Sequence, residues 1–200
     1  MPPEQSTPKI VSPYNRPDDE FGYAVYSIVV MASLAQQAAI DHVRRVVRNQ
    51  RSMIPAHVTV KGTFCEIPSI NAIIKNARKV ADNTGPFRVE FESSTDRRGN
   101  TFAGQRIKKT PGLVTLHDRL YDALAPITTN AYAREDGDHY RPHMSVYAEP
   151  TPGFEHAADE MLTNLDIGTG FDCDAMFLMG HIGPPYRGRW TVVREFLLRG

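Results

Sequence analysis

The chain has 200 residues, 41% of them apolar, and its 23 basic side chains are balanced by 23 acidic ones. That is enough apolar material for one domain, or for two small lobes sharing a core. A formal charge of zero argues against a protein that holds long polyanions by bulk electrostatics. Cys65 and Cys173 lie far apart in no C-x-x-C spacing, so the cysteines support neither a disulfide framework nor a zinc ribbon and fit two reduced thiols in a cytoplasmic protein.

Residues 1–20 carry Pro2, Pro3, Pro8, Pro13 and Pro17 among polar residues and read as a loose lead-in without the layout of a signal peptide. Residues 21–200 read as a single domain. Its longest apolar stretch, Ala24 to Ala35, is broken by Ser27 and Ser33 and falls short of the roughly 20 residues of a membrane span. A soluble protein with no membrane partner is expected.

Tyr23 to Val30 is β-branched and aromatic and predicts a buried strand. Ser33 then offers an N-cap to a helix with Leu34, Ala38, Ile40, Val43 and Val47 on one face. Arg44, Arg45 and Arg48 gather at its end, where cations suit the helix dipole, and read as a solvated helix end. In Ala56 to Lys61 the alternation puts Val58 and Val60 on one face and His57, Thr59 and Lys61 on the other. Pro68 and Ser69 open a second helix carrying Ile70, Ile73, Ile74, Ala77 and Val80. Phe87, Val89 and Phe91 alternate with charged residues and lead through the turn Arg97-Arg98-Gly99-Asn100 into Thr101 to Ile107, a hairpin.

The second half follows the same plan. Thr110-Pro111 starts a helix with Leu113, Leu116, Leu120 and Leu124. The polar loop Arg134 to His139 leads into Pro142 to Tyr147, where Met144 and Val146 face one way and His143, Ser145 and Tyr147 the other. Thr151-Pro152 opens a helix with Phe154, Ala158, Met161, Leu162 and Leu165. Asp172 to Ile182 and Gly188 to Leu198 form a final strand pair. Each half thus runs helix, His-bearing strand, helix, hairpin, an architectural repeat without residue identity outside the motifs. The expected fold is α+β: a bilobal, pseudo-twofold arrangement of two mainly antiparallel sheets flanked by helices, with the two His-x-Thr/Ser strands at a central groove.

Those two motifs, His57-Val58-Thr59-Val60 and His143-Met144-Ser145-Val146, are where chemistry concentrates. A strand places residues i and i+2 on one face about 7 Å apart, so each motif offers an imidazole and a hydroxyl to neighbouring atoms of one group. Free histidine titrates near pH 6.5, so one ring can accept a proton while the other donates one. A phosphodiester suits such a pair. Its hydrolysis needs a water deprotonated on one side of phosphorus and a leaving alkoxide protonated on the other, with hydroxyls holding the non-bridging oxygens. The scheme calls for no metal and no cofactor.

The HVTV and HMSV tetrapeptides resemble the paired motifs of the 2H phosphoesterases. Their surroundings, HVTVKGTF and RPHMSVY, are similar to those of the branch called 2'-5' RNA ligases or RNA 2',3'-cyclic phosphodiesterases. The resemblance follows element order from about Tyr23 to Leu198 and is residue-specific only at the motifs. It implies a bilobal fold and metal-free hydrolysis of 2',3'-cyclic phosphates to 2'-phosphates. In some members it extends to reversible 2'-5' joining of RNA ends. By that resemblance His57 is the proton donor to the leaving oxygen, His143 the acceptor for water, and Thr59 and Ser145 hold the phosphate. The implied partner is a cyclic-phosphate nucleotide or RNA terminus, and the expected state is a monomer.

Two weaker candidates share the polar strand faces, Lys61 and Tyr147, and of these Tyr147 is the better candidate for touching substrate. His139, in Asp136-Gly137-Asp138-His139, is explained by a D-G turn better than by a metal loop. His42, His117, His156 and His181 lack a partner motif and read as structural or surface residues. The competing functional reading is a non-catalytic module that binds a phosphorylated nucleotide or RNA end in the same groove.

Overall fold

The computed structural model describes residues 22–47, 54–65, 67–98, 101–131, 136–183 and 188–200. The lead-in over 1–20, Arg48, Gly99, Asn100, Arg134 and Glu135 lie outside the described residues. In chain order the elements are β1 (Val25–Met31), α1 (Leu34–Val46), β2 (His57–Cys65), α2 (Ile70–Asp82), β3 (Phe87–Arg98), β4 (Phe102–Ile107) and α3 (Pro111–Leu124). They continue with β5 (Thr129–Asn130), β6 (His143–Ala148), α4 (Glu155–Thr163), β7 (Gly170–Cys173), β8 (Ala175–Ile182) and β9 (Arg189–Leu197).

Local chemistry explains most of the boundaries. Ser33 and Gln36 form a capping box, with Ser33 Oγ accepting from the Gln36 N–H and Gln36 Oε1 accepting from the Ser33 N–H, so two orphan donors of the first turn are satisfied together. Ser69 Oγ accepts from the Ala72 N–H at 3.0 Å and caps α2 the same way. Pro111 opens α3 as expected, but Thr110 makes no side-chain cap. The last helix begins later than Thr151-Pro152 predicts. Gly153, at φ +91°, takes the left-handed conformation, and α4 starts only at Glu155.

All strand pairs are antiparallel, in a five-stranded sheet ordered β5-β2-β1-β8-β9 and a four-stranded sheet ordered β6-β4-β3-β7. The α+β architecture of two antiparallel sheets with flanking helices is therefore as the sequence implies. The two halves of the chain and the two sheets do not coincide, however. The hairpin of the first half, β3–β4, pairs with strands of the second half, and the hairpin of the second, β8–β9, pairs with β1 of the first. The stretch Asp172 to Ile182, expected as one strand, breaks at Asp174: β7 belongs to the four-stranded sheet and β8 to the five-stranded one. Alternation in sequence looks the same whichever sheet a strand joins, so nothing local marks the switch.

One continuous core, including Ile28, Val58, Leu116, Leu120 and Met144, runs through both sheets and the helices. Helix α1 follows β1 yet packs on β6 of the other sheet and on α4. Its Gln36 amide donates to the carbonyls of Ile167 and Gly170 at 2.7 and 3.1 Å, which fastens the start of α1 to the entrance of β7. This crossing helix brings its far end, with Arg44, to β6 and to the Ile54 carbonyl shortly before β2.

Candidate active site

The pleat sets the motifs as the alternation predicts. In β2, Val58 and Val60 are buried while His57 and Thr59 stay partly open; in β6, Met144 and Val146 are buried while His143 and Ser145 stay partly open. Although they belong to different sheets, β2 and β6 are packed neighbours. The two imidazoles lie within electrostatic reach of each other, since the charge of His143 acts on His57.

The rings are held in matching ways. His57 Nδ1 lies 2.9 Å from the Pro55 carbonyl and His143 Nδ1 lies 3.1 Å from the Arg141 carbonyl, in each case two residues back along the chain. A carbonyl oxygen only accepts, so this bond assigns the N–H of each neutral ring to Nδ1. Nε2 is left as the nitrogen that can exchange a proton. Burial is the main influence on His57 and drives its pKa down; the bond to Pro55 works against this, and the positive charges of Arg44 and His143 work with it. The net result is a pKa lowered to about 4. At neutral pH His57 is an uncharged base. The edge of an aromatic pair supports the other ring, with Phe102 and His143 centroids 5.8 Å apart at 80°. Gly104 leaves that ring its room: a Cβ there would lie 3.0 Å from Phe102 Cζ, and the ring would have to give by a few tenths of an ångström.

Both motif strands bulge at the last residue of the motif. In β2, Val29 pairs with Thr59 but Ile28 pairs with Lys61; in β6, Gly104 pairs with Ser145 but Ala103 pairs with Tyr147. The extra residue is Val60 in one strand and Val146 in the other. A bulge shifts the pleat by one residue, and this corrects the expectation that Lys61 and Tyr147 share the face of the histidines. Lys61 is fully buried, bonded to Asp136 and Asn130, with the Phe64 ring 5.4 Å from its ammonium. Tyr147 is 2% exposed within the main core, with Asp159 and Arg97 as its charged neighbours. Neither side chain shares the partly open face of the histidines.

Each bulge also turns two successive carbonyls to one side, and each pair finds donors. In β2 the Thr59 carbonyl accepts from the Tyr140 hydroxyl at 2.9 Å and the Val60 carbonyl from His117 Nδ1 at 2.6 Å. In β6 the Ser145 carbonyl accepts from Arg44 Nη2 at 2.9 Å and the Val146 carbonyl from Arg44 Nε at 3.0 Å. Arg44 is therefore no solvated helix end, which corrects the reading of the Arg44, Arg45 and Arg48 cluster at that residue; of its described members Arg45 is exposed.

His117 is committed to structure. Its Nδ1 serves Val60, its Nε2 accepts from the Gly137 N–H at 3.1 Å, and its ring stacks on Tyr140 at 3.8 Å and 2°. Asp136 completes the support: one carboxylate oxygen takes Lys61, the other the Gly62 N–H at 2.9 Å. A Cβ on residue 62 would sit 2.9 Å from that second oxygen, so glycine is what admits the carboxylate. Nothing local in the sequence marks Asp136, Arg44 or Phe102 as parts of this arrangement. A lysine bracketed by Val60 and Gly62 in an apolar strand was the one available signal that an acidic partner had to exist. Among the described residues no three His, Cys, Asp or Glu side chains stand together as a metal ligand set, and the two cysteines form no disulfide and are buried.

The profile of the 2'-5' RNA ligase superfamily matches residues 32–184, and the chain belongs to that family. Comparison with curated protein sequences found no match. Among solved structures, TT0787 from Thermus thermophilus superimposes with a TM-score of 0.61 at 16% identity, covering 88% of this chain and 98% of that one. LigT from E. coli in complex with phosphate gives 0.57 at 13% identity, with 88% and 97% covered. The LigT complex with 3'-AMP gives 0.54 at 13%, with the same coverage. These likenesses establish a shared fold. Membership of the family makes the chain one of a group of phosphoesterases and ligases.

Proposed function

We propose that the chain hydrolyses 2',3'-cyclic phosphodiesters, at an RNA end or in a small cyclic nucleotide, using His57 and His143 as a proton-transfer pair. The reading is carried by the matched tethering of two imidazoles, each with Nδ1 on a carbonyl and Nε2 available, on neighbouring strands of different sheets. In the reaction a water oxygen bonds to phosphorus as the bond to the 3' oxygen breaks, giving a 2'-phosphate. One Nε2 takes the proton of the water; the other, as imidazolium, gives a proton to the leaving oxygen. Thr59 and Ser145, two residues beyond the histidines on the open face, donate to the non-bridging oxygens.

His57 is the ring kept neutral, so it is assigned as the acceptor and His143 as the donor, the reverse of what the resemblance implies. An anionic phosphate between the rings favours imidazolium and so recruits the second proton. Joining of 2' and 5' ends is the same ring-opening step with a 5' hydroxyl in place of water, so the roles are kept; cleavage of the 2'-5' bond is its reverse and exchanges them. The scheme needs no metal, and one chain supplies both motifs, so the acting form is taken as a monomer. A cytoplasmic setting fits two cysteines that form no disulfide.

His57→Ala and His143→Ala should each lower turnover of a 2',3'-cyclic nucleotide about 10²-fold or more while leaving the melting transition intact. Phosphorus NMR should identify the product as a 2'-phosphate. Activity abolished by a chelator and restored by zinc would overturn the scheme. Tight binding of the cyclic nucleotide without turnover would instead establish the non-catalytic module.

A further inference from the structure

Arg44 belongs to neither motif, yet its guanidinium spans the approach to both. Nε and Nη2 bond the Val146 and Ser145 carbonyls of β6, while Nη1 donates to the Ile54 carbonyl at 3.3 Å and lies 3.1 Å from Asp41. Ile54 directly precedes Pro55, whose carbonyl tethers His57. Among the described residues β6 is the edge of its sheet and pairs with β4. On its other side the bulge presents two carbonyls in succession, and a planar fork can meet both at once. The side chain is 11% exposed and donates to three carbonyls and one carboxylate. That leaves it poorly placed to grip a phosphate and well placed to fix backbone.

We propose that Arg44 is a positioning residue for the reaction: it sets the strand carrying His143 and Ser145 against the segment that tethers His57, in the place where a neighbouring strand would otherwise lie. This rests on the proton-transfer reading for its consequence in rate. The geometric part stands apart from it, because the alignment of the two imidazoles can be measured with no turnover at all.

The test uses the full chain and its Arg44→Met and Arg44→Lys variants, each first checked for a cooperative melt. With a 2',3'-cyclic nucleotide, both should lose kcat by about tenfold or more, the scale of a small misplacement of reacting groups, with KM changed far less. The variants should separate in the pH profile. Met removes a charge that opposes protonation of His57, so the acidic limb moves to higher pH. Lys keeps the charge, so the limb stays near that of the parent while kcat remains low, because one ammonium cannot replace the fork. NMR titration of the His57 and His143 ring protons with inorganic phosphate gives the second readout. In the parent both rings respond together, and in Arg44→Met that joint response is lost. Should Arg44→Met fail to fold, Arg44→Lys carries both measurements. Unchanged kcat with unchanged joint titration would overturn the proposal, and a rise in KM alone would make Arg44 a substrate ligand. If the parent fails to turn over the nucleotide but the titrations differ as described, the reaction reading falls and the positioning role stands.

Discussion

The strands β2 and β6 carry the same motif, bulge at the same place and tether their histidines alike, but they are secured very differently. β2 is an interior strand between β1 and β5, and its bulge is filled by the stacked His117–Tyr140 pair and the buried Lys61–Asp136 pair. β6 is an edge strand, and one guanidinium satisfies both carbonyls of its bulge. The difference teaches that two copies of one motif do not require symmetric support. Damage to β2 should therefore register first as lost stability, and damage around β6 as lost rate.

The largest stability effect should come from Lys61. Replacing it with Met leaves the Asp136 carboxylate buried without its cation, which should destabilise the protein by about 3–5 kcal/mol; urea or thermal unfolding measures this. Adding Asp136→Asn, which keeps an oxygen for the Gly62 N–H, should recover a substantial part of the loss. A double variant as unstable as the single one would show that the pair matters for shape and not for charge.

A smaller effect concerns His57 and pH. The folded-state pKa of His57, about 4, lies below the ordinary value of 6.5, so between those values the unfolded chain binds a proton that the native state refuses. Stability is full above about pH 6.5, falls as the pH drops, and is lost to this group below pH 4, a total of about 3 kcal/mol if the whole shift is expressed. His57→Gln should flatten that part of the stability curve. Inorganic phosphate should flatten it too, since a bound anion favours the protonated ring. An unchanged slope in His57→Gln would assign the acid sensitivity elsewhere.

How much of this could be read beforehand follows from which signals are local. The strands at His57 and His143, the capped starts of α1 and α2 and the leucine face of α3 all announce themselves within a few residues. So do the two His-x-Thr/Ser motifs, whose buried valines and methionine fix which face opens. The bulges do not: Lys61 and Tyr147 continue the alternation in sequence, and only the pairing with Ile28 and Ala103 turns them inward. Arg44 is hidden for a related reason. A basic residue at a helix end is usually explained by its own helix, whereas here the meaning comes from a strand about a hundred residues later. The exchange of hairpins between the halves leaves no local trace at all.

Tyr140 offers the gentlest way to sharpen the contrast between the strands. Burial, with Asp136 and Asp118 adding to it, raises the pKa of its hydroxyl well above the ordinary range, so it remains a donor to the Thr59 carbonyl at any working pH. Tyr140→Phe keeps the ring stacked on His117 and deletes that one bond, a loss of about 1 kcal/mol in unfolding free energy. The rate should change little, because His117 still holds Val60 and Asp136 still holds Lys61 and the Gly62 N–H. Measured side by side, kcat should fall less in Tyr140→Phe than in Arg44→Lys. The opposite order would mean that β2, despite its several supports, is the strand whose placement limits the reaction.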